Sequence, residues 1–501
     1  MNLARLLDDY VAVYGDHDSV FFEGRWITTG ESLARAKALA AGLAELGVEA
    51  GDRVAVMLPN LPEVSISYFA TWRIGAAVTP IIFLLPPPEI HRILADSGAK
   101  VAITSPEFLP NLKLAAEGVE TLRHVVCVGG GEGTVSIADL ERGGEAGIVE
   151  RAEDDLAALL YTGGTTGASK GVMLSQRNLE WTARAALRAS EYEPGTVGLL
   201  MLPLSHGFGL HVSILSTLER GSGVLLRWFD PAAALDAIEQ HRVQRFAAVP
   251  TMLQMLLAFP LEERDLSSLT FITSGASALP GEVLRAWESR VPNCKILQGY
   301  GLTETSPTVA VQPPSSVADG SRKIGSVGPV IEGVQVRIVD DDGNEVAPGE
   351  VGEVTVKGPN VMLGYWRNEE ATREAIRDGW FHTGDVGKVD EDGHLWIVER
   401  KKDLIIRGGF NVFPNDVEDT LLGHPEVAEA AVVGRPSELW GEEPVAFVVL
   451  QPGASVTEDD LLAFAELNLA KYKRPVEVRL VSSIPKTPVG KIDRKLLRAE
   501  L

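Results

Sequence analysis

The chain has 501 residues, of which 45% are hydrophobic and 23% are charged. This length favours two or three compact domains, and the composition is typical of a globular protein rather than a disordered or fibrous one. The formal net charge is −23. A surface this acidic repels phosphate backbones and anionic headgroups, which excludes nucleic acid as the main partner and disfavours stable attachment to a membrane.

The N-terminal part of the chain alternates between helical and strand patterns, and a glycine follows each of three helices. We expect helices at 31–46, 61–74 and 86–97, with strands at 51–58, 77–82 and 100–104. Gly47, Gly75 and Gly98 suit the backbone conformation in which many helices end. Helices and strands in alternation predict a parallel α/β sheet.

The character of the sequence changes near residue 320. Short alternating strands between Gly325 and Gly358, with Asp-Gly turns at 340–344 and 390–394, predict an antiparallel β subdomain. After Arg400 the pattern becomes α+β. Strands are expected there at 404–406, 428–433, 445–450 and 476–481, and helices after Pro414, at 458–469 and at the end. We therefore place a domain boundary at about 400, between units of 1–400 and 401–501.

Cysteine content and apolar stretches bear on the compartment. Cys127 and Cys294 lie far apart and outside any CxxC spacing, so neither a disulfide framework nor a structural zinc site is expected. The most apolar stretch, at 74–85, is too short to span a bilayer. Neither end of the chain matches a secretory signal or a lipid anchor. We expect a cytoplasmic monomer or homodimer without stable membrane insertion.

The C-terminal tail departs from the acidic average. Residues 470–501 contain nine lysines and arginines and three acids, a net charge of +6. Charge alone is equally consistent with a solvated basic helix and with a segment that meets an anion. Within the tail, IPKTPVGKIDRKLLR (484–498) places Lys491 directly after Gly490, on a loop before the last helix.

The strongest local motif is YTGGTTGASKGV (161–172), which follows an apolar strand. Its glycines let the backbone approach a ligand closely, and its hydroxyls and lysine supply donors and positive charge. The spacing differs from that of a Walker A loop. The density of donors favours phosphate binding over a plain surface turn, and the candidate residues are Thr162, Gly163, Gly164, Thr165, Thr166, Gly167 and Lys170.

Weaker motifs carry further candidates. QGYGLTET (298–305) offers an aromatic face at Tyr300 and a hard oxygen ligand for Mg²⁺ at Glu304, although a structural turn explains it better when it is taken alone. TSGASALP (273–280) suits either a flat ring against bare backbone or a capped helix start. Asp385 and Arg400 suit a ribose or a phosphate, although each residue type more often forms a surface ion pair.

Together these clusters, in this order and spacing, resemble the adenylate-forming superfamily of acyl-CoA synthetases, peptide-synthetase adenylation domains and beetle luciferases. The resemblance runs from about residue 20 to the C terminus, and TGGTTGASKG, GYGLTET, RGGFNVFPNDVE and IPKTPVGKIDRK are most similar to fatty-acid and related acyl-CoA ligases. It implies an α/β and α+β multidomain fold. A large N-terminal domain of two α/β subdomains and a small β-barrel would precede a small, mobile α+β domain that carries the catalytic lysine.

The resemblance also implies an ATP-dependent ligation in two steps. A fatty or aryl carboxylic acid would react with Mg·ATP to give an acyl-adenylate and pyrophosphate, and the thiol of CoA would then take the acyl group and release AMP. Lys491 would bridge the carboxylate and the α-phosphate. After the C-terminal domain rotates about Lys402, the turn Gly408–Gly409–Phe410 would face the thiol of CoA.

The remaining roles transfer by position. Residues 162–170 would hold the β- and γ-phosphates, and Glu304, with Thr162 near the metal, would hold Mg²⁺. Asp385 and Arg400 would bind the ribose, and Thr303 the α-phosphate. The adenine would be lined by Gly275, Ala276, Gly299 and Tyr300, and Gln298 and Gly301 would also bind ATP. His206 matches the family's acyl-pocket histidine, and a satisfied core histidine is the alternative.

Two other functions stay open. An enzyme that loads a carboxylic acid onto a carrier protein would share these motifs, but residues 203–215 contain no acid to pair with an amino-acid ammonium. A non-catalytic sensor of acyl groups or nucleotides is disfavoured because Lys491, Glu304, Asp385 and Arg400 are all present. The apolar segment GFGLHVSIL (207–215) favours an uncharged tail, so we expect an apolar monocarboxylate to be a better substrate than a dicarboxylate or an amino acid.

Overall fold

The computed structural model describes residues 1–162, 169–408, 410–487 and 490–501. Two eight-stranded sheets, mostly parallel, make up the larger part of the molecule. In order across the first sheet, the strands are Gly364–Tyr365, Lys170–Ser175, Leu156–Thr162, Ala77–Pro80, Arg53–Met57, Val101–Thr104, His124–Cys127 and Val135–Ser136. Across the second sheet they are Ala310–Val311, Lys295–Tyr300, Phe271–Ser274, Arg245–Ala248, Val197–Leu200, Ser222–Leu225, Asp18–Phe22 and Arg25–Thr28.

Two smaller sheets follow along the chain. The third is antiparallel, with the strands Gly328–Pro329, His394–Arg400, Trp380–Val389, Gly352–Lys357 and Gln335–Val339 in order, and Ile376–Arg377 paired beside Trp380–Val389. The fourth contains Phe410–Val412, Ile405–Arg407, Gly441–Leu450 and Val427–Ser437 in order, and Glu477–Leu480 pairs in parallel with Gly441–Leu450. The chain leaves the third sheet at Arg400 and enters the fourth at Ile405, so the turn between them joins the two units.

Helices cover the faces of these sheets. Around the two large sheets the α-helices are Ala4–Tyr14, Thr29–Glu45, Pro62–Arg73, Pro87–Ser97, Leu109–Ala116, Ile137–Leu140, Gln176–Ala189, Gly207–Leu215, Pro231–His241, Pro250–Leu257, Gly281–Arg290 and Ser315–Ala318. Later in the chain they are Glu369–Ala375, Pro414–Leu422, Glu458–Asn468 and Arg494–Ala499. Short 3₁₀ helices lie at Leu261–Glu263, Thr303–Thr305 and Lys471–Lys473. Within the described residues, none of these helices is long and apolar enough to cross a bilayer.

Local sequence signals account for the predicted helices. The helix expected at 31–46 spans Thr29–Glu45, and the Thr28 hydroxyl caps its start by accepting a hydrogen bond from the Glu31 N–H at 3.1 Å. Gly98 ends the helix Pro87–Ser97 in the left-handed conformation, at φ +61°. The helices and strands predicted for the N-terminal part are therefore confirmed, with small shifts at their ends.

Each large sheet has its own hydrophobic core. Leu39, Val54 and Trp72 are fully buried around the first sheet, whereas Phe246 and Trp287 belong to a separate buried cluster around the second. The helices Pro414–Leu422 and Glu458–Asn468 pack on the fourth sheet around a third core. The structure thus confirms a multidomain α/β fold with a small C-terminal unit.

The β subdomain expected near 320–400 is present as the third sheet. In the described residues its end strands, Gly328–Pro329 and Gln335–Val339, do not pair with each other, so the expected small barrel is an open sheet here. The long strand Trp380–Val389 and its partner His394–Arg400 run from this sheet to the cavity described below. Their register places Asp385 opposite Arg400.

Candidate active site

A cavity of about 2250 Å³ lies where the carboxyl ends of the parallel strands meet the third sheet and the C-terminal tail. This volume is more than twice that of an ordinary small-molecule pocket, so there is room for a nucleotide and a second ligand. Fifteen of the residues predicted from the sequence line it: Thr162, Lys170, His206, Gly275, Ala276, Gln298, Gly299, Tyr300, Gly301, Thr303, Glu304, Asp385, Arg400, Lys402 and Lys491.

The proposed phosphate-binding motif is described only at its two ends. Thr162 and Lys170 face each other across neighbouring antiparallel strands, so both ends of the motif meet at the cavity. The Lys170 ammonium lies 4.9 Å from the centre of the Tyr365 ring, a cation–π contact that holds the charge beside the cavity. Gly163, Gly164, Thr165, Thr166 and Gly167 lie outside the described residues.

The proposed adenine pocket is built from closely spaced backbone. A Cβ on Gly275 would lie 3.1 Å from the Gly299 carbonyl oxygen, and a Cβ on Gly301 would lie 1.6 Å from the Pro307 carbonyl oxygen. Ala276 has φ +70°, a conformation that side-chain-bearing residues adopt rarely. These contacts expose flat backbone, against which a planar ring can lie.

Asp385 is a buried carboxylate held through both of its oxygens. It is 2% exposed; its Oδ1 forms an ion pair with Arg400 Nε at 2.7 Å, and its Oδ2 accepts a hydrogen bond from the Tyr300 hydroxyl at 2.5 Å. Burial raises the pKa of Asp385, and the Arg400 guanidinium opposes that rise. Burial and the neighbouring carboxylate raise the pKa of Tyr300 well above its usual value. Both oxygens of the carboxylate are thus engaged, which holds the side chain in place.

Of the two predicted metal ligands, Thr162 and Glu304, only Glu304 has a carboxylate. Its Oε1 accepts a hydrogen bond from the Tyr365 hydroxyl at 3.1 Å. Among the described residues, no group of three or more His, Cys, Asp and Glu side chains is placed to hold a metal ion. Mg²⁺ usually takes one or two carboxylates together with substrate phosphates, so a single glutamate beside a phosphate motif fits this metal.

Lys491 reaches the cavity from the C-terminal tail, where it is hydrogen-bonded to Thr487. Thr487 N–H donates to the Lys491 carbonyl at 2.7 Å, and Lys491 N–H donates to the Thr487 hydroxyl at 3.2 Å. Gly490 has φ +81°, which favours glycine, and its carbonyl accepts a 3.4 Å hydrogen bond from the Thr251 hydroxyl. Thr251 therefore ties the tail to the N-terminal unit, a role that no sequence signal indicated.

The pKa values of Lys491 and His206 are both lowered from their ordinary values. Burial, and then repulsion from Arg400, lowers the pKa of Lys491 to about 8. Burial and the charge on Lys491 lower the pKa of His206 to about 4, so this ring is neutral near pH 7. His206 Nδ1 accepts the Phe208 N–H at 3.4 Å, which leaves the ring proton on Nε2. The histidine can therefore donate a hydrogen bond but supplies no charge.

A pH profile tests the lysine. Since the pKa of Lys491 lies at about 8, its positive charge is present at lower pH and is lost as the pH rises through that value. We expect kcat/KM for ATP, which reports ionisations of the free enzyme, to fall above this pH. Lys491→Arg is the matched control, because a guanidinium stays charged and should abolish the alkaline fall. An unchanged alkaline limb in that variant would assign the ionisation elsewhere.

The residues predicted for the hinge and for CoA binding, where the structure describes them, lie at the edge of the cavity or outside it. Lys402 lies at the cavity edge, in the turn that joins the third and fourth sheets. Gly408 and Phe410 lie outside the cavity, and the Phe410 side chain is exposed and stacks on Tyr472 at 5.1 Å between ring centres. Gly409 lies outside the described residues.

Comparison with known proteins assigns the family. The family model described as AMP-binding enzyme matches residues 7–366, and the one described as AMP-binding enzyme C-terminal domain matches 416–491. A feruloyl-CoA synthase from Amycolatopsis sp is 40% identical over 471 residues, covering 94% of this chain and 93% of that protein. The indoleacetate–CoA ligase of Aromatoleum aromaticum is 36% identical over 504 residues, covering 99% and 98%.

A solved structure has the same fold. The anthranilate CoA ligase AuaEII, determined in complex with anthranoyl-AMP, superimposes with a TM-score of 0.94 at 30% identity, covering 100% of this chain and 97% of that one. The sequence match, the fold and the cavity agree. The chain belongs to the AMP-binding enzyme family, in its acyl-CoA synthetase branch.

Proposed function

We propose that this protein is an ATP-dependent acid–CoA ligase that activates a carboxylic acid as its adenylate and transfers the acyl group to CoA. The observation that carries the proposal is the meeting of Lys491, from the C-terminal tail, with Glu304 and the Asp385–Arg400 pair in one cavity. The names of the related CoA ligases support the same chemistry.

In the first step a carboxylate oxygen attacks the α-phosphorus of ATP, and the bond from that phosphorus to the bridging oxygen of pyrophosphate breaks. Negative charge builds up on the α-phosphate and on the departing pyrophosphate. The half-buried Lys491 ammonium and the neutral His206 Nε2–H would stabilise the reacting carboxylate and phosphate. Asp385 and Arg400 hold the ribose. Glu304, with Thr162, would hold Mg²⁺, which neutralises phosphate charge when it is bound.

In the second step the CoA sulfur attacks the acyl carbon, the bond from that carbon to the AMP oxygen breaks, and the thiol proton is released. We infer that the Gly408–Phe410 turn serves this step after a rotation at Lys402. Support comes from an exposed apolar surface beside the turn, formed by Phe410, Trp440 and Tyr472, on which a planar base can stack.

We further infer that the acid is aromatic. The relatives reported above are named for feruloyl, indoleacetate and anthranilate groups. The wall of the cavity next to His206 carries Phe208 and Val212, which suit the faces of a flat ring. A fatty acid is the second candidate, which the apolar helix Gly207–Leu215 also accommodates.

We also propose a cytoplasmic location and a domain boundary. Cys127 and Cys294 are both buried and unbonded, as in a reducing compartment, which supports a cytoplasmic location. We place the boundary between the rigid N-terminal unit and the mobile C-terminal unit at about residue 400, because the chain passes from the third sheet to the fourth there.

The proposal is tested with a panel of carboxylic acids, assayed for release of pyrophosphate and AMP with and without CoA. We expect an aromatic monocarboxylate to support both, with AMP turnover strictly dependent on CoA. Continuous AMP turnover that needs the acid but not CoA would favour the enzyme that loads a carrier protein. Failure of every acid to release pyrophosphate would contradict catalysis altogether.

A further inference from the structure

The cavity continues away from the nucleotide site as a channel between one helix and the second sheet. On the helix side, the face that lines it contains Phe208, His211, Val212, Leu215 and Glu219. These residues are spaced by 3, 4, 7 and 11 positions, which places them on one side of a helix. Glu219 follows the helix Gly207–Leu215 in a turn whose N–H still bonds four residues back, to the Leu215 carbonyl at 3.2 Å.

On the sheet side, alternate residues of three neighbouring strands face the channel. Gly198, Arg245 and Phe271 form one row by register. Ala247 and Thr273 form the next row, about 7 Å closer to the nucleotide site at two residues of strand rise. Gly198 keeps the deep row open, because a Cβ there would meet no atom closer than 3.8 Å.

Charged groups line the deep part of this channel. Arg245 Nη2 lies 3.8 Å from Glu219 Oε2, beyond hydrogen-bond distance, and the guanidinium stacks over Tyr192 with 3.2 Å to the ring centre. Both charged side chains are about four-fifths shielded from solvent. Glu219, Arg245 and Tyr192 are here called the polar floor.

The polar floor is incompletely satisfied. Glu219 Oε2 is buried and has no hydrogen-bond partner among the described residues, and the same holds for His211 Nδ1, whose side chain lines the channel wall. Burial raises the pKa of Glu219 to about 7 although Arg245 opposes the rise, and burial also lowers the pKa of Arg245. A buried acceptor without a donor is costly, and a substrate hydroxyl would satisfy it.

We propose that the polar floor binds a hydroxyl group at the far end of the acid, so that the preferred substrate is a hydroxylated aromatic acid. The hydroxyl donates to Glu219 Oε2 and accepts from Arg245, which bridges a pair that stands too far apart to bond directly. This inference rests on the proposed ligase activity. A second carboxylate in place of the hydroxyl is disfavoured. Its negative charge would face the Glu219 carboxylate, and it has no proton to donate to the unpaired Glu219 Oε2.

The test compares matched acids that differ only in one para-hydroxyl: benzoate, phenylacetate and cinnamate, each against its 4-hydroxy analogue. With the unaltered protein, kcat/KM from pyrophosphate release should favour the hydroxylated member of the pair that reaches the floor by about tenfold or more. Equal use of the two members in all three pairs, or preference for a terminal carboxylate, would overturn the proposal. Absence of activity with every acid would instead contradict the ligase function.

Two variants at one position separate recognition from folding. Glu219→Leu should abolish the preference for the hydroxyl while the unsubstituted acid is still used, because the substitution removes the acceptor, together with the charge beside Arg245, and the unsubstituted acid bonds to neither. Glu219→Gln is the matched control, since its amide oxygen still accepts a hydrogen bond and should retain part of the preference. If both variants keep the full preference of the unaltered protein, the hydroxyl is bound elsewhere.

Discussion

Replacing Lys491 by alanine is expected to lower the rate of acyl-adenylate formation by about 10²–10³-fold, the usual effect of removing one preorganised donor from a developing charge. Lys491 lines the cavity, and the carbonyl of the preceding Gly490 accepts a 3.4 Å hydrogen bond from the Thr251 hydroxyl of the N-terminal unit, so in this arrangement the ammonium is already at the site of the first step. Pyrophosphate release in the first seconds after mixing, with acid and ATP but without CoA, measures this step.

The second half-reaction distinguishes a catalytic from a structural role for this lysine. Lys491→Ala should convert added acyl-adenylate and CoA to acyl-CoA at the rate of the unaltered protein. Lys471→Ala is the matched control, because this exposed lysine of the same tail lies outside the cavity and should leave both steps unchanged. Equal losses in both half-reactions would show that the substitution disturbs the fold instead.

Gly301→Ala is expected to be the most destabilising single methyl addition at the site. Its Cβ would lie 1.6 Å from the Pro307 carbonyl oxygen, so the loop after the strand Lys295–Tyr300 would have to move. Forcing atoms into a packed site usually lowers the free energy of unfolding by about 1–3 kcal/mol. For Gly301→Ala we expect a loss of about 3 kcal/mol or more, because the overlap is severe. Denaturant unfolding followed by tryptophan fluorescence measures the loss in free energy of unfolding.

Gly299→Ala provides a control in the same motif. Its Cβ would lie 3.6 Å from the Ala310 carbonyl oxygen, an ordinary contact distance. We expect this variant to unfold at nearly the same denaturant concentration as the unaltered protein. If the two variants unfold together, the close approach of the chain at Gly301 and Pro307 is incorrect.

Features with a local determinant could be predicted from the sequence. Glycines such as Gly75 and Gly98 predicted where helices end, because glycine itself favours the left-handed conformation that both residues adopt. The motif residues also line one cavity, since the carboxyl ends of parallel strands meet at the same edge of a sheet.

Contacts between distant segments could not be predicted in this way. The bond from Tyr365 to Glu304 joins residues 61 positions apart, and neither flanking sequence carries a signal for it. The segment 207–215 suggested an apolar channel because the polar floor lies outside it. Glu219 follows that segment, and Arg245 comes from the separate strand Arg245–Ala248. The third sheet is likewise open because its two end strands do not pair with each other in the described residues. The strand pattern of the sequence does not predict whether end strands pair.

The most direct test of the proposed ligase is a single-turnover experiment. The protein is mixed with ATP labelled in the α-phosphate and an accepted aromatic acid, without CoA, and CoA is added after the first phase ends. We predict one enzyme-bound acyl-adenylate per cavity before CoA, and its conversion to acyl-CoA with release of labelled AMP afterwards. An adenylate that persists after CoA is added, or AMP that accumulates equally without CoA, would contradict the assignment.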